Sequence, residues 1–275
     1  MLKSIFISIF PLLCLIGVVI SVDQYIHGYL FAALGLAMTS IPMLFLLGKL
    51  FLSDVPRTTP NLNIYSGFVG LGFLILIYAF YIKGAESMVA IGFLLAICWF
   101  LYLRWYSIFG DRTNTLLTKG QILPSLSFDD EKGNLVTSES FLGQKSILMF
   151  YRGNWCPLCM AQIKELSNEY KNLESKGIQT LLISPQPHTN TMKLAKKYDV
   201  GFRFLVDKNN FVAKKLNIMS KNGLPTGFQI LGYESDTVMP TIILIDEKGK
   251  IIHSDLTSNY RVRPEPTDLI KYFEN

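Results

Sequence analysis

The sequence predicts two parts of different kind. Residues 1–112 read as an all-α region of four transmembrane helices, and residues 113–275 as an α/β domain in which helices flank a mixed sheet. Three observations carry that expectation. Charge is uneven: 17% of the 275 residues are charged, against about 25% in ordinary soluble proteins, and only ten of those side chains fall before residue 113, all at the ends of apolar runs. Four of these runs reach the roughly 20 residues that a helix needs to cross a bilayer core of about 30 Å. From Asn114 onward, strand-like and helix-like patterns alternate and finish in a hairpin.

The four expected spans are 4–22, 28–48, 64–82 and 87–109. The first, 4-SIFISIFPLLCLIGVVISV-22, is too long for a signal peptide and has no small-x-small cleavage site before Asp23, so it is expected to be retained. Lys3, Lys49, Arg57, Arg104, Arg112 and Lys119 fall on one side of these spans and only Lys83 on the other. That bias puts both termini, and the polar domain, in the cytoplasm of a multi-pass inner-membrane protein. The cluster 99-WFLYLRWY-106 suits an interfacial aromatic belt on the same side. Cys14 and Cys98 lie inside the first and fourth spans. They read either as an intramembrane redox relay or, preferred here, as small apolar packing residues. The lipid bilayer is therefore an expected partner. The net charge of +5 is partly juxtamembrane and calls for no nucleic acid.

In the polar domain, 119-KGQILPSLSFDDEKGNLVTSESFLG-143 reads as a short extended piece and a hairpin around Glu131–Gly133. The run 145-KSILMFYR-152 has the continuous apolar character of a strand buried on both faces. A helix follows from Pro157, whose missing N–H costs nothing in a first turn. Leu158, Ile163, Leu166, Tyr170 and Leu173 line one face, and Lys176-Gly177 ends it. Next come a strand at 178–184, a helix at 190–199, a strand at 202–207 and a short helix at 209–217. A polar insertion at 220–236 precedes 240-PTIILIDEKGKIIHSDL-256, two strands joined at Lys248-Gly249-Lys250. A last helix occupies 265–274.

The candidate chemistry lies in 149-MFYRGNWCPLCMAQIKEL-166, which holds Cys156 and Cys159. A structural disulfide is disfavoured in a reducing cytoplasm. A zinc site needs two further ligands, and His188 and His253 lack the spacing to supply them, so no metal is expected. Dithiol exchange fits the local physics: the pair sits where a buried strand meets a helix N-terminus, whose unpaired N–H groups and positive dipole end stabilise a thiolate. On this reading Cys156, ahead of the helix, is exposed and nucleophilic, and Cys159, one turn in, resolves the mixed disulfide.

Strand, Trp-Cys-Pro-Leu-Cys, helix, and a later Met239-Pro240 opening a strand together resemble the thioredoxin superfamily. The resemblance implies a thioredoxin-like fold and a cis proline at Pro240 lying against the dithiol. The string Phe150-Tyr151-Arg152-Gly153-Asn154-Trp155-Cys156-Pro157-Leu158-Cys159, with the hairpin from Gly120, is more similar still to the peroxiredoxin-like branch, the alkyl hydroperoxide reductase and thiol-specific antioxidant family, over roughly 115–265. Peroxiredoxins carry Pro-x-x-x-Thr-x-x-Cys and a later arginine. On this chain those positions hold Arg152, Cys156 and Cys159, and the arginine position falls at or beside Pro240. Only the attacking cysteine survives, which favours disulfide exchange over direct peroxide reduction. A membrane bundle joined to a redox domain is also similar to vitamin K epoxide reductase, yet the intramembrane Cys-x-x-Cys of that family is absent here.

The resulting expectation is a membrane-anchored thiol-disulfide oxidoreductase with a peroxiredoxin-like antioxidant role, acting through Cys156 and Cys159 without an organic cofactor. Two alternatives stand beside it: a peroxidase attacking at Cys159 with Cys156 resolving, and a non-catalytic redox sensor. Substrates would be oxidised protein thiols or hydroperoxides, and a thioredoxin-type thiol would regenerate the enzyme. Trp155, Pro157, Pro240 and Arg152 are the candidate substrate-groove residues. Arg152 reads equally as a thiolate partner or a solvated strand end, and Tyr260, Arg261 and Arg263 equally as site residues or a plain charged loop. His188 and His253 read as surface histidines.

Overall fold

Four long apolar helices open the chain: α1 (Leu2–Ile26), α2 (Leu30–Leu52), α3 (Asn63–Lys83) and α4 (Glu86–Leu101), the last continued by a π-helical turn at Tyr102–Tyr106. In this computed structural model, which describes residues 1–274, all four, with α4 counted through that turn, are long and apolar enough to cross a membrane. The expected spans at 4–22, 28–48, 64–82 and 87–109 each fall on one of them. The chain divides into two compact units, one made of Leu2–Ser53 and Thr58–Ile108, the other running from Phe109 onward and including Asp54–Arg57. Within the helical unit, α2 and α3 approach through facing glycines. A Cβ on Gly35 would lie 2.9 Å from the Gly72 carbonyl oxygen, and a Cβ on Gly72 would lie 2.9 Å from that of Gly35. Small residues permit such close helix contact.

The second unit is built on a seven-stranded mixed sheet. Its strands are β1 (Ser127–Asp130), β2 (Leu135–Thr137), β3 (Lys145–Phe150), β4 (Ile178–Ser184), β5 (Arg203–Val206), β8 (Thr241–Ile245) and β9 (Ile251–Asp255), in the order β2-β1-β5-β4-β3-β8-β9. Strands β3, β4 and β5 run parallel, as crossover helices require. The flanking pairs β1–β2, β1–β5, β3–β8 and β8–β9 are antiparallel. A two-stranded ribbon, β6 (Met219–Ser220) with β7 (Thr237–Val238), closes the base of the 220–236 insertion.

The helices of this unit are α5 (Pro157–Asn168), α6 (Tyr170–Ser175), α7 (His188–Lys197), α8 (Phe211–Lys215) and α9 (Pro266–Lys271). One face of the sheet buries Leu148, Phe150, Leu181, Ile183, Ile243 and Ile245 against Val212 and Leu216 at α8. Alternation turns Met149 and Ile242 to the other face, where they line a small cavity together with Gln162 of α5. The run 145–150 is thus covered on both sides, as its unbroken apolar sequence predicts.

One element departs from expectation. The helix expected from Pro157 to Lys176 breaks at Glu169, which has ψ near 3°. Tyr170, expected on the buried face, instead donates its hydroxyl to Glu174 and packs edge-on against Phe202 at 5.7 Å. The chain resumes as α6, where Leu173 is buried.

Candidate active site

Strand β3 ends at Phe150 and delivers Tyr151 and Arg152 to the turn that precedes α5. Gly153 makes this turn possible: its φ is +137°, and a Cβ there would stand 2.9 Å from the Trp155 ring. A side chain at this position would meet both backbone strain and a clash. Cys156 takes the N-cap position of α5 with extended backbone, and Pro157 follows at the first helical position. The Cys156 carbonyl accepts from Cys159 N at 3.0 Å and Met160 N at 3.1 Å, which closes the first turn and sets both sulfurs at one helix end.

Below this turn lies a buried polar lattice. The Asn154 backbone N–H donates to Gln186 Oε1 at 2.8 Å, and Gln186 Nε2 donates to Tyr151 Oη at 3.0 Å and Thr191 Oγ1 at 3.1 Å. Burial, more than any other cause, pushes the Tyr151 phenol upward and keeps it neutral. The lattice locks the geometry of the turn and does not itself supply charge.

Charge comes from two arginines. Arg152 is buried at 6% exposure, so it is no solvated strand end. Its guanidinium lies over Trp155 at 4.5 Å and Tyr260 at 5.9 Å and donates to the Gly223 carbonyl, while its own carbonyl accepts from Thr237 Oγ1. Arg263 arrives from the segment after β9. It donates Nε to Tyr260 O at 2.9 Å and Nη1 to Gln162 Oε1 at 3.0 Å, and points Nη2 at Cys159 Sγ, 3.7 Å away. Tyr260, Arg261 and Arg263 are all buried, so 258–266 is not a plain charged loop.

The two thiols are hydrogen-bonded to one another and polarised in opposite directions. Burial opposes ionisation of Cys159. The hydrogen bond from Cys156, the Arg263 charge, the Arg152 backbone N–H and the Arg152 charge outweigh it and hold Cys159 down to about 5. Cys156, donating to that thiolate and also buried, is pushed well up. The surroundings therefore favour ionisation of Cys159 over Cys156.

Two expectations are corrected here. Cys156, expected to be exposed, is only 2% accessible, and Cys159 is fully enclosed. The 220–236 insertion reaches the residues beside them: Gly223 takes the Arg152 donor and Phe228 meets Trp155 edge-on at 6.0 Å. The peptide before Pro240 is trans, because no cis bond occurs among the described residues. The Met239 N–H donates to Ile218 O at 2.8 Å, which carries the chain extended from β7 into β8. Arg112 Nη1 then holds the Pro240 carbonyl at 2.9 Å and Thr257 O at 2.9 Å, tying the start of β8 to the end of β9. Register pairs Phe150 with Thr241, so Pro240 lies beside the strand end that leads to the thiols.

The structure thus gathers Arg152, Trp155, Cys156, Pro157 and Cys159, with Pro240 on the adjoining strand. The histidines stand elsewhere: His188 contacts the Asp130 carbonyl, and His253 stacks on Tyr272. Sequence reasoning missed Gln162 and Arg112, and weighed Arg263 equally as a site residue and as part of a charged loop. The spaced arginines of 260-YRVRP-264 are the only local signal for that segment.

Parts of the chain are similar to known proteins. The AhpC/TSA family matches residues 119–254. A chloroplastic peroxiredoxin Q from Populus jackii is 26% identical over 102 residues, 37% of this chain and 48% of that protein, so the match spans about half of its length. The thiol-disulfide oxidoreductase ResA of Bacillus subtilis (strain 168) is 22% identical over 160 residues, 58% of this chain and 78% of that protein. The crystal structure of Enterococcus faecalis AhpC aligns with 16% identity and a TM-score of 0.47, covering 57% of this chain and 90% of that one. This chain carries an AhpC/TSA-family domain, peroxiredoxin-like and of the thioredoxin superfamily.

Proposed function

We propose that the protein is a membrane-anchored thiol oxidoreductase of peroxiredoxin-like type that reduces hydroperoxides at Cys159, with Cys156 as resolving thiol. The observation that carries this reading is the approach of Arg263 Nη2 to Cys159 Sγ at 3.7 Å, which makes Cys159 the resting thiolate. Full enclosure of that sulfur supports a small substrate. The steps balance as follows. The Cys159 thiolate attacks the distal peroxide oxygen, the O–O bond breaks, and the alkoxide leaves and takes a proton, giving an alcohol and a Cys159 sulfenic acid. The Cys156 sulfur then attacks the sulfenic sulfur, water leaves, and a Cys156–Cys159 disulfide forms. An external dithiol restores both thiols by exchange. Arg263 and Arg152 stabilise the thiolate before attack and negative charge on the departing oxygen after it.

A second reading is disulfide exchange with attack by Cys156. It is supported by the N-cap position of Cys156 beside half-buried Trp155 and by relatives named thiol-disulfide oxidoreductase. The reduced full chain, offered hydrogen peroxide and a model protein disulfide separately, decides between them by mass spectrometry of each cysteine. A sulfenic acid trapped on Cys159 in the Cys156→Ser variant supports peroxide reduction. Slow reaction with peroxide, together with a mixed disulfide trapped on Cys156 in Cys159→Ser, overturns it in favour of exchange.

Membrane anchoring by the four apolar helices belongs to the same proposal, with residues 113–275 on the cytoplasmic side. The six-to-one bias of lysine and arginine across the loops supports that orientation. Protection of a C-terminal tag from protease added outside intact spheroplasts is the expected result, and cleavage there would reverse the topology.

A further inference from the structure

The chain has four cysteines, and the dithiol at α5 uses two of them. The other two lie in the helical unit, where the contacts between α1 and α4 set their relation. Phe6 of α1 meets Tyr106 at 6.1 Å, and Phe10 meets Tyr102 at 6.5 Å. A Cβ on Gly17 would lie 3.1 Å from Leu95 Cδ1. As the residue number rises along α1 it falls along α4, so the two helices pack antiparallel. Cys14 lies one turn beyond Phe10, and Cys98 lies one turn before Tyr102. Residues three and four apart share a helix face. Cys14 and Cys98 therefore stand opposite each other, bracketed by Phe10 with Tyr102 on one side and Gly17 with Leu95 on the other.

Two further facts favour a working pair over two separate packing residues. Both are free thiols and both are buried, Cys14 completely. Gly17, lacking a side chain, lets α1 settle against Leu95 of α4 and Ser40 of α2 at this level. Helix axes about 8–10 Å apart, with Cα atoms about 2.3 Å from each axis, put directly facing Cα atoms about 3.4–5.4 Å apart, a range whose upper half a disulfide can bridge. A disulfide needs about 4.4–6.8 Å.

We propose that Cys14 and Cys98 form a second dithiol–disulfide couple, separate from the one at α5, that joins α1 to α4 when oxidised. Two S–H bonds break, one S–S bond forms, and two electrons with two protons pass to an acceptor. The thiols are enclosed by apolar side chains, so that acceptor is of the quinone class: it takes both electrons and both protons to become a quinol and leaves no charge in the bundle.

The test uses the full chain in lipid nanodiscs with Cys156→Ser and Cys159→Ser, so that only Cys14 and Cys98 remain and the outcome does not depend on the dithiol at α5. Decylubiquinone is added, since its fully substituted ring cannot alkylate a thiol, and diamide serves as a second oxidant. The expected result is an intact mass lower by two hydrogens, a digest fragment linking α1 to α4, and recovery of both thiols with dithiothreitol. Adding Cys14→Ala or Cys98→Ala should abolish the link. The couple is refuted if both thiols still alkylate fully after denaturation whichever oxidant was used, or if the only links join two copies of the chain. Linkage by diamide but not by the quinone overturns the proposed acceptor and upholds the couple.

Discussion

The four cysteines fall into two buried pairs with contrasting surroundings. Cys156 and Cys159 sit at a helix N-terminus under two guanidinium groups. Cys14 and Cys98 sit mid-helix among Phe10, Gly17, Leu95 and Tyr102. Burial is nearly the same in both places, so burial does not decide what a thiol does. Desolvation alone disfavours the thiolate. What distinguishes the α5 pair is fixed positive charge brought within a few ångströms of one sulfur. That charge also breaks the equivalence of Cys156 and Cys159: the cationic donor reaches the inner sulfur, and the outer one keeps the proton.

The largest effect expected from breaking this contrast is loss of Cys159. Cys159→Ser should lower peroxide consumption by at least about 100-fold, the low end of what removing an essential nucleophile costs. Cys156→Ser should support a single turnover and then stop, leaving a sulfenic acid that a dimedone probe reports. Equal activity of the two variants in the first turnover would contradict the assignment of the thiolate.

Removing the charge but keeping both sulfurs is the next test. Arg263→Gln should raise the titration of Cys159 by about one to two units, and so cut its reaction rate at pH 6 by roughly two- to tenfold. The gap should close at alkaline pH, where the variant thiolate forms anyway. Arg263→Lys, which keeps the charge without the planar fork, should restore part of the rate. A defect of the same size at every pH would mean that Arg263 only packs the site.

For the unmodified protein the sign follows from the lowered value of Cys159. The thiolate is present above about pH 5, so reactivity should hold through neutrality and fall as pH drops through that value. An ordinary thiol would lose reactivity below about pH 8 to 9 instead. Rates of monobromobimane labelling between pH 4 and 9 distinguish the two profiles.

The smallest effect concerns the cover. Trp155→Ala removes the ring shared by Arg152 and Phe228. A cation–π contact contributes about 0.5–2 kcal/mol, so faster hydrogen exchange across 220–236 is expected with the fold retained. A protein disulfide should then react several-fold faster, because access to Cys156 improves. No change in either measurement would show that the insertion does not gate the site.

Much of this molecule was legible in local pattern. Four apolar runs of spanning length gave α1 to α4, because hydropathy and length are properties of contiguous sequence. The strand, Gly153 turn and Pro157 start that carry the thiols were equally readable, since a buried strand and a helix start leave their marks within about ten residues. Where local rules failed, a distant contact had intervened. Tyr170 packs on Phe202 where it was expected to continue its helix, and Cys156 lies beside Arg152 and Trp155, which are contacted by an insertion that begins more than sixty residues later.

The sequence by itself determined that a paired thiol would stand at the end of a buried strand, beside a helix N-terminus, in a chain with four apolar helices. Only the tertiary structure decided which sulfur has a cationic neighbour. Arg263 is a hundred residues away along the chain and reaches Cys159 because the β8–β9 hairpin returns it to the end of α5. The same holds for Cys14 and Cys98, which become neighbours only through the antiparallel register of α1 and α4. Electrostatic interaction falls with distance through space and not along the chain, so no local pattern could have shown either pairing.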